Sequence, residues 1–214
     1  MENKIYKHSY FGDIYYTVHI PQGLIGKKNV PMLLFLHGAG ERGRDYSLIN
    51  LIGPGKYIQE GTRSFDNCIT VCPQCPEEYI WNNLAPMLVD FIHYIVEKYS
   101  VDIKKISISG ISMGGYGTWE MIMFAPDLFY RASPICGGGT PWRTDLIKAQ
   151  VWAFHGDCDT VVSKENSDMM VFAARENGKD VKYTIYSGVG HDVWNYAYPE
   201  TTVFDWLTDF KDNN

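Results

Sequence analysis

Long apolar runs are missing from this chain of 214 residues. None approaches the roughly eighteen residues that a membrane-spanning helix needs, so a membrane is excluded as a partner. Surplus base is missing too: 19 Lys and Arg against 25 Asp and Glu leave a net charge of −6. Phosphate backbones require a basic face, which argues against nucleic acid as a partner. The pairs Lys27-Lys28 and Lys104-Lys105 read as solvated turns. A regular cysteine framework is also lacking. The five cysteines are Cys68, Cys72, Cys75, Cys136 and Cys158, an odd number that suits a reducing cytoplasm. The start Met1-Glu2-Asn3-Lys4 has no apolar signal core, and a cytoplasmic protein is expected. Cys72-Pro73-Gln74-Cys75 has no second C-x-x-C and no nearby histidine pair to complete a zinc site. Prolines bracket it where a redox motif would open a helix. Packing is its expected role, and no metal or cofactor is expected.

What is present is apolar mass, 45% of residues with 14% aromatic. That is enough for one domain over 1–214, with N-terminal strands in 1–31 and a catalytic core over 32–211. Strands are predicted at Ile14 to Ile20, Met32 to Leu36, Ile69 to Cys72, Lys105 to Ser109, Arg131 to Ile135, Val151 to His155 and Val181 to Tyr186. Helices are predicted from an Asn83 cap to Tyr99, over Gly115 to Phe124, over Lys164 to Asn177 and over Thr201 to Lys211. The segments Gly38 to Asp66 and Gly137 to Ala149 read as irregular, with no length to spare for a large lid. Alternation of this kind is α/β: a mostly parallel sheet with helices on both faces and ligands beyond the carboxyl ends of its strands.

Gly110-Ile111-Ser112-Met113-Gly114 lies where a strand runs straight into a helix. Such a turn is tight, and the flanking glycines make room for it. The hydroxyl of Ser112 then stands above the sheet edge at a helix N-terminus, a nucleophile's position. A serine hydroxyl needs a base, and histidine has the right pKa. Of His8, His19, His37, His93, His155 and His191, only His191 follows the last strand in a glycine-bearing loop at the sheet's carboxyl edge. His37 and His155 each close a strand before a glycine and read as turn-shaping. The base needs an acid to hold its tautomer. Asp157 and Asp159 lie just past a strand end; Asp159 is favoured, with Asp157 bracing the turn. The order Ser112, Asp159, His191 is that of an α/β-hydrolase. The oxyanion formed on attack needs two N–H donors, assigned to the backbones of Met113 and Ala39. Trp81, Tyr116, Trp142 and Trp194 lie near the expected site as candidate substrate-binding aromatics.

Several motifs together resemble the compact phospholipase/carboxylesterase-type α/β-hydrolases, in the branch labelled predicted peptidase or polyhydroxybutyrate depolymerase-like esterase. They are Leu36-His37-Gly38-Ala39-Gly40-Glu41-Arg42-Gly43, Pro73-Gln74-Cys75-Pro76, Gly110 through Trp119, Pro134 through Gly139, Trp152 through Gly156 and Gly188 through Trp194. The likeness covers about residues 32 to 208. It implies Ser112 as nucleophile, Asp159 as acid and His191 as base. Ser163 departs from the pattern, since relatives commonly carry proline there. The expected activity is hydrolysis of a small-molecule carboxylic ester, with acetyl or feruloyl esters of carbohydrates as candidates. A serine peptidase and a non-catalytic binding module are the alternatives, and the sequence leaves the oligomeric state, a homo-oligomer included, open.

Overall fold

The computed structural model describes residues 1–210. Its elements in chain order are β1 (Glu2–His8), β2 (Gly12–His19), β3 (Val30–Leu36), α1 (Tyr46–Ile49), α2 (Gly53–Glu60), β4 (Ile69–Pro73), α3 (Ala85–Tyr99) and β5 (Val101–Ile111). There follow α4 (Met113–Phe124), β6 (Arg131–Ile135), β7 (Gln150–Gly156), α5 (Glu165–Glu176), β8 (Val181–Tyr186), α6 (Trp194–Glu200) and α7 (Val203–Thr208). Eight strands form one sheet in the order β1-β2-β4-β3-β5-β6-β7-β8. β1 and β2 run antiparallel at one edge, and the other six are parallel. The sheet is therefore mostly parallel and covered on both faces, as expected.

The central strands divide their side chains between two cores. Met32, Leu34 and Leu36 of β3 pack with Phe91 and Ile95 of α3, Ile122 of α4 and Met170 of α5. Leu33 and Phe35 point the other way, into a core closed by Tyr198 of α6 and by Phe204 and Leu207 of α7. Burial on both faces is what makes such strands near-continuously apolar. Cys72 and Cys75 are divided between these same two cores, and both are buried free thiols. Burial pushes each of them up to about 12, so at neutral pH they are packing residues. Among the described residues, no helix is long and apolar enough to cross a membrane.

Four expectations need correction. Asn83 is not a cap: it lies exposed in the 3-10 turn Trp81–Leu84, with α3 starting directly after it. α4 begins two residues earlier than predicted, taking Met113 and Gly114 into its first turn. Residues 38–66 are not irregular but hold a 3-10 turn (Ala39–Glu41) and two helices; residues 137–149 likewise hold a 3-10 helix, Pro141–Leu146. Gly53, the first residue of α2, packs against the Phe35 ring, where a Cβ would stand 2.3 Å from Cζ. The predicted last helix is shorter, α7 being preceded by the unpredicted α6; Lys211 lies outside the described residues.

Candidate active site

Chain direction brings the carboxyl ends of β3, β5, β6, β7 and β8 to one rim, where the loops carrying Ser112, Asp159 and His191 meet. Ser112 connects β5 to α4 with φ 51° and ψ −116°. A side-chain-bearing residue is strained there by about 1–3 kcal/mol. The surroundings enforce it: Ser112 N–H donates to the Ile135 carbonyl at 2.9 Å, and the Ser112 carbonyl accepts from Tyr116 N–H at 3.0 Å. Gly114 lets the helix start this close to the sheet. A Cβ on it would stand 1.9 Å from the Leu36 carbonyl oxygen.

His191 Nε2 lies 2.9 Å from Ser112 Oγ, and His191 Nδ1 lies 2.7 Å from Asp159 Oδ2. An ionised carboxylate only accepts, so Nδ1 carries the proton and bare Nε2 receives the Ser112 O–H. Asp159 Oδ1 accepts the N–H groups of Val161 and Val162, both at 2.9 Å. Burial alone would push the Asp159 carboxyl up. The His191 hydrogen bond, the two backbone N–H groups and the His191 charge outweigh it and hold the group below its ordinary range. The acid is thus ionised at neutral pH. Asp157 is exposed and accepts Gly188 N–H at 2.6 Å, tying the β7 loop to the β8 loop. Cys136, Asp159 and His191 bring one donor atom each within 4.8 Å of one another. Burial pushes the Cys136 thiol up, and His191 and Asp159 already bond each other.

The loop after β3 is held almost carbonyl by carbonyl. Cys75 N–H donates to His37 Nε2 at 2.9 Å, so the ring's proton is on Nδ1, which donates to the Gly38 carbonyl at 2.6 Å. Burial lowers His37 to about 4, against the opposing pull of the Gly38 bond, and the ring is neutral. Trp81 Nε1 donates to the His37 carbonyl, Arg42 Nε to that of Ala39 and Gln74 Nε2 to that of Glu41. In a trans peptide the N–H opposes the C=O; fixing the Gly38 carbonyl therefore fixes the direction of the Ala39 N–H. Ala39 itself is exposed, and Met113 is buried at the start of α4.

The four candidate aromatics separate in the structure. Tyr116 lines a cavity of about 500 Å³ together with Ile80, Asn82 and Met113. Trp194 is half-buried, its ring edge-on to His191 at 5.4 Å. Trp142 is 82% exposed on the Pro141–Leu146 helix. Trp81 corrects the expectation, because it is fully buried and presents no surface to a ligand. Its indole supports the β3 loop from beneath. Sequence reasoning missed Ile80 and Asn82, for which no motif gave a signal. It also gave His37 and His155 a generic turn role, although the four-residue spacing from His155 to Asp159 was a usable hint.

A sheet of this order, with a serine on its strand-to-helix turn and an acid and an imidazole on later loops at the same rim, defines an α/β-hydrolase. More narrowly, the chain belongs to the Dienelactone hydrolase family, whose sequence profile matches residues 61–200. It is similar to a thermostable esterase at 32% identity and a TM-score of 0.88, covering 96% of this chain and 62% of that one. This chain therefore spans less than two thirds of that protein's length. A feruloyl esterase module from Clostridium thermocellum, complexed with sinapinate, aligns at 17% identity and a TM-score of 0.72, over 97% of this chain and 85% of that one. An acylaminoacyl peptidase from Pyrococcus horikoshii aligns at 15% identity and a TM-score of 0.74, over 100% of this chain and 43% of that one. At the last two identities the likeness is one of fold. No match was found among curated proteins.

Proposed function

We propose that this chain is a serine carboxylesterase acting on small or moderately sized carboxylic esters. The observation that carries the reading is the unbroken string from Ser112 Oγ through His191 to Asp159, with links of 2.9 and 2.7 Å. His191 takes the Ser112 proton as Oγ attacks the ester carbonyl, and Asp159 stabilises the imidazolium that forms. The N–H groups of Met113 and Ala39 receive the developing oxyanion, the second aimed by the grip of His37 on Gly38. His191 returns its proton to the leaving alkoxide. Water, deprotonated by the same imidazole, then releases the acid from the acyl-enzyme.

The cavity beside Met113 and Tyr116 is open and mostly apolar, which supports short acyl groups and flat aromatic ones such as feruloyl. An ester of a carbohydrate is the substrate class we favour, and a feruloyl esterase module among the structural neighbours supports it. Peptidase neighbours support a second reading, amide hydrolysis by the same residues. The test is a panel of acetyl, butyryl, long-chain and feruloyl p-nitrophenyl esters with one matched amide. Turnover of the short and feruloyl esters, abolished in a folded Ser112→Ala variant, is expected. Undiminished turnover by that variant overturns the reading, and a preference for long acyl chains overturns the carbohydrate assignment. A faster matched amide would favour the peptidase, while failure to react with a fluorophosphonate would point to a binding module.

A further inference from the structure

His191 is not the only imidazole on the acid. His155, the penultimate residue of β7, is fully buried, and its Nε2 lies 3.2 Å from Asp159 Oδ2, the same oxygen that holds His191. The same Nε2 lies 2.8 Å from the Val162 carbonyl, and Nδ1 lies 2.7 Å from Ser167 Oγ of α5. A carbonyl can only accept, so the proton resides on Nε2, shared between the Val162 carbonyl and the carboxylate, while bare Nδ1 faces the serine hydroxyl. The single proton of the Ser167 hydroxyl lies between two acceptors, bare Nδ1 and the Gly137 carbonyl 2.7 Å away. Gly137 packs against the backbone of Gly115 and Tyr116 in the nucleophile helix, where a Cβ would stand 2.5 Å from the Gly115 carbonyl carbon. Polar and packing contacts thus lead from Asp159 past His155 and Ser167 back to the helix that carries Ser112.

We propose that His155 is a positioning residue for the acid, a fourth member of the string, whose shared Nε2–H fixes the rotation of the Asp159 carboxylate and thereby the orientation of His191. The proposal rests on the serine-hydrolase reading above. Four N–H groups converge on Asp159: two backbone N–H groups bond Oδ1, His191 Nδ1–H bonds Oδ2, and the His155 Nε2–H, bonded to the Val162 carbonyl, lies 3.2 Å from the same Oδ2. Rotating the carboxylate away from His191 therefore disturbs every one of them at a buried site, where an unmatched donor is costly. Burial holds the His155 ring below the ordinary histidine range, against its bonds to Val162 and Asp159, and the ring is neutral at pH 7. A neutral donor steadies the carboxylate without cancelling the charge that His191 needs.

Removing that donor has a defined sign. A carboxylate with one donor fewer carries more concentrated charge and stabilises the His191 imidazolium more strongly. The acid limb of the pH–rate profile, where His191 becomes protonated, then moves to higher pH. The ionisable groups facing the His155 and His191 rings are Asp159 between them, Cys136 just past β6, Tyr116 of α4 and Asp192 beside His191. None of them is altered by the substitution.

The experiment compares His155→Leu, His155→Gln and Ser167→Ala, with active sites counted by a fluorophosphonate and Ser112→Ala as the reference for the underlying reading. His155→Leu should lower kcat per titrated site by about ten- to a hundredfold. Its KM should stay within about twofold, since the residue does not reach the cavity, and its acid limb should shift upward by about half a pH unit or more. His155→Gln keeps an N–H near the Nε2 position and should restore most of kcat and of the limb. Ser167→Ala, which loosens the ring without emptying its site, should shift the limb in the same direction by less. A stabilising role alone would lower the melting temperature and the titrated fraction and leave the limb in place, and that result overturns the proposal. Should His155→Leu fail to fold, an unmoved limb in both other variants overturns it equally. An active Ser112→Ala would instead sink the serine-hydrolase reading itself.

Discussion

Adding one methyl group at Gly114 tests how tightly the nucleophile helix is docked on the sheet. Gly114 lies in the first turn of α4, and alanine there is worth about 1 kcal/mol in helix propensity. Against that gain, the new Cβ would stand 1.9 Å from the Leu36 carbonyl oxygen, 2.6 Å from its carbon and 2.8 Å from the His37 oxygen. All three are backbone atoms, and none can turn aside as a flexible side chain would. Either α4 lifts from the sheet by about 1 Å or the end of β3 gives way, and overpacking of this kind costs about 3 kcal/mol. The net loss is about 2 kcal/mol, which for a chain of this length lowers Tm by about 4–8 °C.

The displacement also moves the Ser112 hydroxyl and the Met113 N–H relative to the loop after β3. A shift near 1 Å costs about a hundredfold in kcat. Gly40→Ala is the control, because a Cβ there meets nothing within 4 Å. The assays are thermal unfolding and kcat per fluorophosphonate-titrated site. A Gly114→Ala protein with the Tm and kcat of the parent refutes the docking argument, and a Gly40→Ala protein as damaged as Gly114→Ala refutes the assignment of the damage to close approach.

Asp159→Asn offers an amide where the proposed His191 base needs a carboxylate, and kcat should fall by about 10³–10⁴-fold; Asp157→Asn, at an exposed carboxylate that accepts the Gly188 N–H, should stay within a few-fold of the parent. Steady-state rates on one ester settle the pair. Trp81→Phe deletes the indole N–H on the buried His37 carbonyl and should cost about 1–3 kcal/mol, seen in denaturant unfolding. Trp142→Ala, at an 82% exposed ring, should leave stability within about 0.5 kcal/mol. His37 has a folded pKa of about 4 against 6.5 when exposed. A histidine buried neutral contributes fully above its unfolded value, and the contribution is lost as pH falls from about 6.5 towards 4, by about 3 kcal/mol at the limit. Unfolding measured at pH 7 and pH 4.5 should show that loss, and a His37→Gln variant should show a smaller one.

Much of this was legible in the chain because strand and loop chemistry is local. The strands at Arg131–Ile135 and Val181–Tyr186 fall where β-branched and alternating residues put them, and α/β alternation then fixes which rim the loops share. Three residues spread over eighty positions meet there because each follows a strand of the same sheet. What stayed hidden depends on atoms that meet only after folding. Gly53-Pro54-Gly55 has the composition of a turn and becomes a helix start because Phe35 and Asn50 leave room for nothing larger. Ile80 carries no chemical signature, and it lines the cavity while its neighbour Trp81 is fully buried.

The two histidines read as turn-formers teach the sharper lesson. His37 and His155 stand at the ends of β3 and β7, both followed by glycine and both buried. A neutral imidazole is a rigid bracket with one donor and one acceptor, set about 2 Å apart across the ring. His37 accepts from the Cys75 N–H and donates to the carbonyl that orients Ala39. His155 faces Ser167 on one side and directs its proton to the Val162 carbonyl and Asp159 on the other. Burial is what qualifies them: it keeps each ring uncharged, and an uncharged ring keeps an acceptor that an imidazolium lacks. His191, only half-buried, is the imidazole to which the proposed mechanism gives the moving proton. One residue type thus fills two opposite offices at a single rim, and solvent access decides which histidine holds which.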